Sequence, residues 1–306
     1  MMNVQDITKK QHYIPQVYLR GFSPEYNDKS QEIPHSKYTI FCYDLTKTTQ
    51  SDEPVPIKSV CYKNNLYEVT GDDGEIVLPN HLEKCFSVLE KMFSKYRHKL
   101  ETKVFITENY TTNYFLTQEE KIFWVTYILI QTLRMPQVLE LAEQVGLETW
   151  EGKLTDKQAQ NIARLFCLPF FSEITIGSRE TMLINSLFEP LKGMTFGIGV
   201  DIQERIITSD KPVFVYSKVF PCKEYERIIF PISSQICLFM FDSEDKKGFR
   251  KNFLFPIDEE YREEIIKSMS ASAFEKVYSN HIFDKKERRY IKEIMKDRER
   301  DRCAMF

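Results

Sequence analysis

Residues Thr117–Arg134 read TQEEKIFWVTYILIQTLR, a stretch that is apolar on nearly every side of a helical projection. It opens on Thr117-Gln-Glu-Glu120, which has the spacing of a capping box. A helix with so little polar surface belongs at the centre of a fold. Upstream, Leu82, Phe86, Leu89 and Phe93 recur at helical period from Asn80 to about Leu100. Asn80 and Glu83 have capping-box spacing, and Glu83 and Glu90 lie seven residues apart, within about 20° of each other on one flank of that helix. Downstream, Pro136 marks a kink or break before a helix through Gln144. Helical patterns return at Thr155–Leu168 and Ser178–Leu191.

Further outward the pattern is β. His12–Phe22 predicts a short helix with Pro15 at its first position and Gly21 closing it in a left-handed conformation. Strands are expected at Tyr38–Asp44 and Leu66–Val69, with a tight turn at Gly71–Gly74. An antiparallel sheet is expected from Met194–Val200, Arg205–Thr208, Pro212–Ser217, Arg227–Pro231 and Gln235–Phe241. The segments Asp258–Asn280 and Asp284–Arg302 read as helices, the second with alternating charges that suit a solvated helix or a partner-binding arm. The expected fold is α+β, a central helical bundle on a mostly antiparallel sheet with C-terminal helices. Residues 1–283 form one domain: a β-rich N-terminal section over 1–79, a helical middle over 80–193, a sheet over 194–257 and a helix over 258–283. A charged tail, 284–306, follows.

The 306 residues carry 42 basic and 45 acidic side chains, a formal net charge of −3. Bulk attraction to nucleic acid is therefore not expected, although a local basic patch would not show in that sum. Aromatic residues make up 13% of the chain and hydrophobic residues 42%, which excludes disorder. The opening lacks the apolar core of a secretory signal, and Ile122–Ile130 is too short for a bilayer span, so a cytoplasmic location is expected. Seven cysteines contain no C-x-x-C pair; they read as reduced packing residues, and no zinc-ligand spacing accompanies the five histidines.

Four polar motifs punctuate these apolar elements. The first, His12-Tyr-Ile-Pro15-Gln16-Val-Tyr18-Leu19-Arg20-Gly-Phe22, is similar to the H-x-x-P-Q-x-Y-L-x-x-F opening of the bacterial domain-of-unknown-function family numbered 4238. Others follow in the same order: acids resembling Glu83 and Glu90, Gln131-Thr-Leu-Arg134-Met-Pro136, and Thr208-Ser209-Asp210-Lys211-Pro212-Val213, then Ile228–Ile232. Lys211 departs from the family's usual Asn. The resemblance spans Lys10 to Tyr278 and implies a shared fold without an activity.

Each motif supports two readings. His12 is either a general acid/base beside Gln16 and open helical N–H groups that hold an anion, or a cap of local backbone. Arg134 either pairs with Glu83 or Glu90 or clamps a phosphate or carboxylate, with Gln131 beside it. Asp210 either closes an Asx-turn or orients His12 or a divalent cation, the one cofactor these residues suggest. Ser209 lacks a nucleophile elbow and is assigned a supporting role. The leading expectation is a hydrolase or nuclease acting on a phosphate-containing substrate, with catalytic His12 and Asp210 and substrate-binding Gln16, Gln131 and Arg134. The rival is a binding or regulatory module in which these residues form a buried network and the charged tail contacts a protein or nucleic-acid partner.

Overall fold

The computed structural model describes residues 7–26, 33–107, 115–150, 152–165, 191, 193–216, 227–241 and 252–304, with side chains to Arg298. The predicted helix Ser178–Leu191 falls almost wholly outside these residues, as do Cys167 and Cys222.

The fold is α+β. Helix α1 is a single turn, Gln16–Leu19, continued by a 3-10 turn at Arg20–Phe22. Pro15 occupies its N-cap rather than its first helical position. Gly21 sits inside the 3-10 turn, not in a left-handed conformation. Close approach explains the glycine: a Cβ there would stand 2.9 Å from Nη1 of Arg97 and 3.1 Å from the Ile232 carbonyl.

Helix α2 runs His81–Ile106, longer than its apolar stripe alone predicts. The expected Asn80–Glu83 capping box does not form, because Asn80 lies in the left-handed region (φ 56°) and its Oδ1 accepts from the Thr8 amide instead. Helix α3, Gln118–Leu133, starts on the predicted box: Thr117 Oγ1 accepts from the Glu120 amide, and Glu120 accepts from the Thr117 amide. Met135 caps α4, Pro136–Thr149, so Pro136 begins a new helix. Helix α5 spans Asp156–Leu165.

The described strands form three sheets. Strands β1 (Lys10–His12) and β5 (Tyr62–Asn64) form an antiparallel pair, and no strand forms at Leu66–Val69. The second sheet unites β2 (Thr39–Asp44), β3 (Thr49–Gln50), β4 (Val55–Pro56), β7 (Thr208–Ser209) and β12 (Lys276–Ser279). The third has the order β11-β6-β10-β9-β8, from β6 (Thr195–Val200), β8 (Phe214–Tyr216), β9 (Arg227–Pro231), β10 (Ile236–Phe241) and β11 (Phe253–Pro256). Pairing is antiparallel throughout except for β11 on β6.

Strand β12 corrects the helical reading of Asp258–Asn280. Helix α6 covers only Glu259–Ser272, and Val277 and Tyr278 cross between β2 and β7. Val-Tyr-Ser here is paired by strands far away in sequence, and that pairing overrides local helical preference. Helix α7, Lys285–Ala304, follows.

An aromatic seam joins the bundle to the third sheet. Tyr18 stacks on Phe230 at 5.5 Å, Phe93 on Tyr127 at 4.5 Å, and Tyr96 on Phe123 at 4.0 Å. Beyond the area they bury, such pairs contribute about 0.5–1.5 kcal/mol each. At the end of β6, fully buried Asp201 accepts two bonds from the Arg262 guanidinium (2.9 and 3.0 Å), locking α6 to the sheet. Sequence reading did not single out that pair, whose members lie 61 residues apart. Among the described residues, no helix is long and apolar enough to cross a membrane.

Candidate functional site

Strand alternation puts Lys10 and His12 on one face of β1 and buries Gln11 on the other. Gln11 is fixed there, accepting from the Tyr67 amide at 2.6 Å and donating to Glu68 at 2.5 Å. Two side chains from the end of α3 then grip consecutive carbonyls of the chain leaving β1. Arg134 Nη2 donates to the His12 carbonyl at 2.6 Å, and Gln131 Nε2 donates to the Tyr13 carbonyl at 2.8 Å. The Q-x-x-R and H-x-x-P-Q motifs are thus the two halves of one clasp.

The remaining motifs are joined to the first in the same way. Tyr18 donates to the Pro231 carbonyl at 2.8 Å, which leaves Thr208 Oγ1, 2.7 Å from the phenol oxygen, as the donor of that second bond. Asp210 is cradled by three backbone amides, those of Phe274, Glu275 and Lys276, at 2.8 to 3.0 Å. Burial pushes its carboxyl up to about 6, against the pull of those amides. Ser209 bonds both the amide and the carbonyl of Lys211.

The expected contact of Asp210 with His12 and the expected anion clamp at Arg134 are not what the structure shows. Asp210 spends both oxygens on the chain entering β12 and does not line the cavity that holds His12. Arg134, 1% exposed, is not an open anion clamp. It reaches Glu90 at 3.4 Å, lies 4.1 Å over the Phe86 ring and meets Tyr67. Gln131 is likewise buried; its amide nitrogen holds backbone, and its Oε1 has no hydrogen-bond partner among the described residues.

What the fold does assemble is a cavity of about 480 Å³ lined by Thr8, Lys10, His12, Gln16, Lys58, Ser59, Glu83 and Glu90. Two of its polar atoms, His12 Nε2 and Glu83 Oε1, are buried with no hydrogen-bond partner among the described residues. Such atoms are costly unless something occupies the cavity. Gln16 Nε2 lies 3.4 Å from His12 Nδ1, so this amide selects the imidazole tautomer.

The electrostatics separate the two groups. Burial lowers the His12 pKa, and Arg134 and Lys10 add to the shift; the nearby Lys58 carbonyl opposes it without meeting hydrogen-bond geometry at Nε2. Burial raises Glu83 to about 7, with Glu90 and Glu68 adding repulsion and Arg134 opposing. Burial also raises Glu90, against the attraction of Arg134. A carboxyl that titrates above a nearby imidazole is the arrangement that acid–base chemistry uses.

Helix α1 has only four residues and supplies no dipole-based anion site. Exposed Lys10 and Lys58 are the cations at the cavity. Neither was singled out from sequence. Lys10 had a usable signal, lying two residues from His12 on a short strand, whereas Lys58 had none, since only the fold brings its 3-10 turn to β1. Among the described residues, no group of three or more His, Cys, Asp or Glu is placed to hold a metal ion.

The model of a family described as protein of unknown function (DUF4238) matches residues 10–282. No curated protein and no solved structure matches the chain. With the matched range covering the clasp, the cavity lining except Thr8, and both five-stranded sheets, the chain belongs to the DUF4238 family.

Proposed function

We propose that the chain is a hydrolase acting on a phosphate-containing substrate, a nuclease being the narrower form, with its centre in the cavity between β1 and α2. The observation that carries this reading is that His12 and Glu83, each with a buried polar atom that has no hydrogen-bond partner among the described residues, line one hollow together with two lysines. As placed, the Gln16 amide nitrogen faces Nδ1 at 3.4 Å; His12 serves as the base when that amide is turned about, so that its oxygen accepts from Nδ1–H and Nε2 keeps its lone pair.

In the reaction, Nε2 takes a proton from water as the water oxygen bonds to phosphorus. The P–O bond to the leaving group breaks, and the protonated Glu83 carboxyl delivers its proton to the departing oxygen. Lys10 and Lys58 offset the phosphate charge. Arg134 and Gln131 act as positioning residues by fixing the His12 and Tyr13 carbonyls, the two peptides that flank Tyr13.

Activity requires neutral His12 and protonated Glu83, so rate against pH rises through the lowered His12 pKa and falls above about 7. A panel of phosphate mono- and diesters, assayed with wild type and His12→Ala, tests the reading. The expected result is hydrolysis by wild type, with the variant slower by about 10²–10⁴-fold, the usual contribution of a positioned general base. Equal rates for the two proteins, or no turnover of any ester by wild type, would leave the cavity as a binding site.

The non-catalytic reading draws on a different observation: Arg134, Asp210 and Tyr18 spend their polar atoms on the fold itself, as does the amide nitrogen of Gln131. Under it the cavity binds its ligand unchanged.

A further inference from the structure

We propose that the groove between the β2–β3 hairpin and α7 binds the phosphate backbone of duplex nucleic acid without reading its sequence. The groove has a volume of about 640 Å³ and is lined on the helix side by Lys285, Arg288, Arg289, Lys292 and Lys296, which share it with Glu293. These five cations sit at i, i+3, i+4, i+7 and i+11, one face of a helix. Over eleven residues that face is about 16 Å long, or roughly five base-pair steps of a duplex.

The alternating charges of the sequence conceal this sorting. Glu287, the acid nearest the start of α7, is buried on the opposite side. It takes part in the capping box with Asp284 and pairs with His281 at 2.9 Å and Arg205 at 3.0 Å. Lys286 points away to Glu259, and Arg298 is committed to the carbonyls of Ser270 and Ala273 at the end of α6. Of the five groove cations, only Arg289 has an acidic partner within 4.0 Å among the described residues, Glu293 at 3.7 Å.

The other wall of the groove supplies Thr48, Thr49, Gln50 and one acid, Asp52, against the five cations, and the buried Oε1 of Gln50 lacks a hydrogen-bond partner among the described residues. Turned about, that amide would offer an N–H donor to a phosphate oxygen. Tyr43, the groove's one aromatic, is 1% exposed and cannot stack a base. Single-strand binding relies on such stacking, whereas a duplex backbone needs cations and neutral donors.

The groove and the His12 cavity have no lining residue in common, so this inference does not rest on the proposed hydrolysis. The test is fluorescence anisotropy of the full chain, carried out on a His12→Ala background so that cleavage does not intervene, with a labelled duplex of arbitrary sequence, about 20 base pairs long, at roughly 50–200 mM salt. Contact of all five cations with phosphates predicts a log–log salt slope of about −4.5.

The triple variant Arg289→Gln, Lys292→Gln, Lys296→Gln is expected to lose at least about tenfold in affinity at the lowest salt and to flatten the slope by about 2.7. Its charge-preserving counterpart Arg289→Lys, Lys292→Arg, Lys296→Arg is expected to retain both. The double variant Lys285→Gln, Lys292→Gln, expected to flatten the slope by about 1.8, serves if the triple does not fold. No binding by the parent chain at the lowest salt would overturn the proposal. So would an unchanged affinity and slope in the neutral variants, tighter binding of the matching single strand, or tighter binding of polyglutamate, which would mark an acidic protein as the partner.

Discussion

Replacing Arg134 by Met should lower the unfolding free energy by about 3 kcal/mol, with about 5 kcal/mol as the upper end for breaking a buried ion pair from one side. The substitution keeps the apolar stem but removes the donor to the His12 carbonyl, the partner of Glu90 and the cation over Phe86. The loss leaves a buried carbonyl unpaired and removes from Glu90 the neighbouring charge that most opposes its desolvation. Glu90 keeps 30% of its side-chain exposure, and solvent screening therefore favours the lower figure.

For a chain of this length, about 3 kcal/mol corresponds to a midpoint lower by roughly 5 °C. Urea denaturation is the measurement. Adding Glu90→Gln should recover a share of the loss, because it removes the uncompensated charge. Arg134→Lys should not rescue, since an ammonium cannot serve the carbonyl, the carboxylate and the ring from one planar group. A loss below about 1 kcal/mol for Arg134→Met would show that the clasp is not what holds β1 to α3.

Glu83→Gln should move activity and stability in opposite directions. As the proton donor to the leaving oxygen, Glu83 is expected to contribute about 10²–10⁴-fold to the rate, which an amide cannot supply. In the folded chain this carboxyl titrates near 7, above its ordinary value of 4.5. Between those two values the unfolded chain has released the proton while the folded chain still holds it. Stability therefore falls as pH rises through this window, and the loss is complete above the folded value.

Glutamine has no such titration. The variant should be more stable than wild type at about pH 8, by about 1–2 kcal/mol in the range typical of relieved active-site strain, and equally stable at about pH 4, where the carboxyl is protonated in both states. Urea midpoints at the two pH values, set beside ester hydrolysis, give the comparison. A variant that is less stable at both pH values would make Glu83 an architectural residue.

How much of this was legible depends on whether the physics was local. Thr117–Glu120 and the apolar run after it determine α3 within a capping box and a few turns, and sequence reading finds both. Asn80 and Glu83 have the same spacing, yet no box forms, because the chain arriving from β5 turns through a left-handed Asn80 whose side chain serves Thr8. Strand β12 was hidden for a related reason: its pairing partners, β2 and β7, lie far away in sequence.

At the site, His12, Gln16, Glu83 and Glu90 were legible as chemistry-bearing groups and do share a cavity. Asp210 looked equally chemical, as an exposed turn carboxylate before a proline would. Its three amide donors come from the connection after α6, which the sequence pattern presents as uninterrupted helix. Lys58 acquires its place only when its turn is folded against β1. Similarly, the charges of α7 alternate along the chain but segregate around the axis, and burial of Tyr290 and Ile291 together with the capping interactions of Asp284 and Glu287 determines which face turns outward.

Site-resolved titration of the free protein by NMR, following the Glu83 carboxyl carbon and the His12 imidazole with and without inorganic phosphate, tests most directly whether the fold keeps an acid and a base unpaired over an anion-binding cavity. The account predicts a Glu83 midpoint near 7 and a His12 midpoint below its ordinary value, both displaced when phosphate binds. A Glu83 midpoint near its ordinary 4.5, with neither group responding to phosphate, would contradict it.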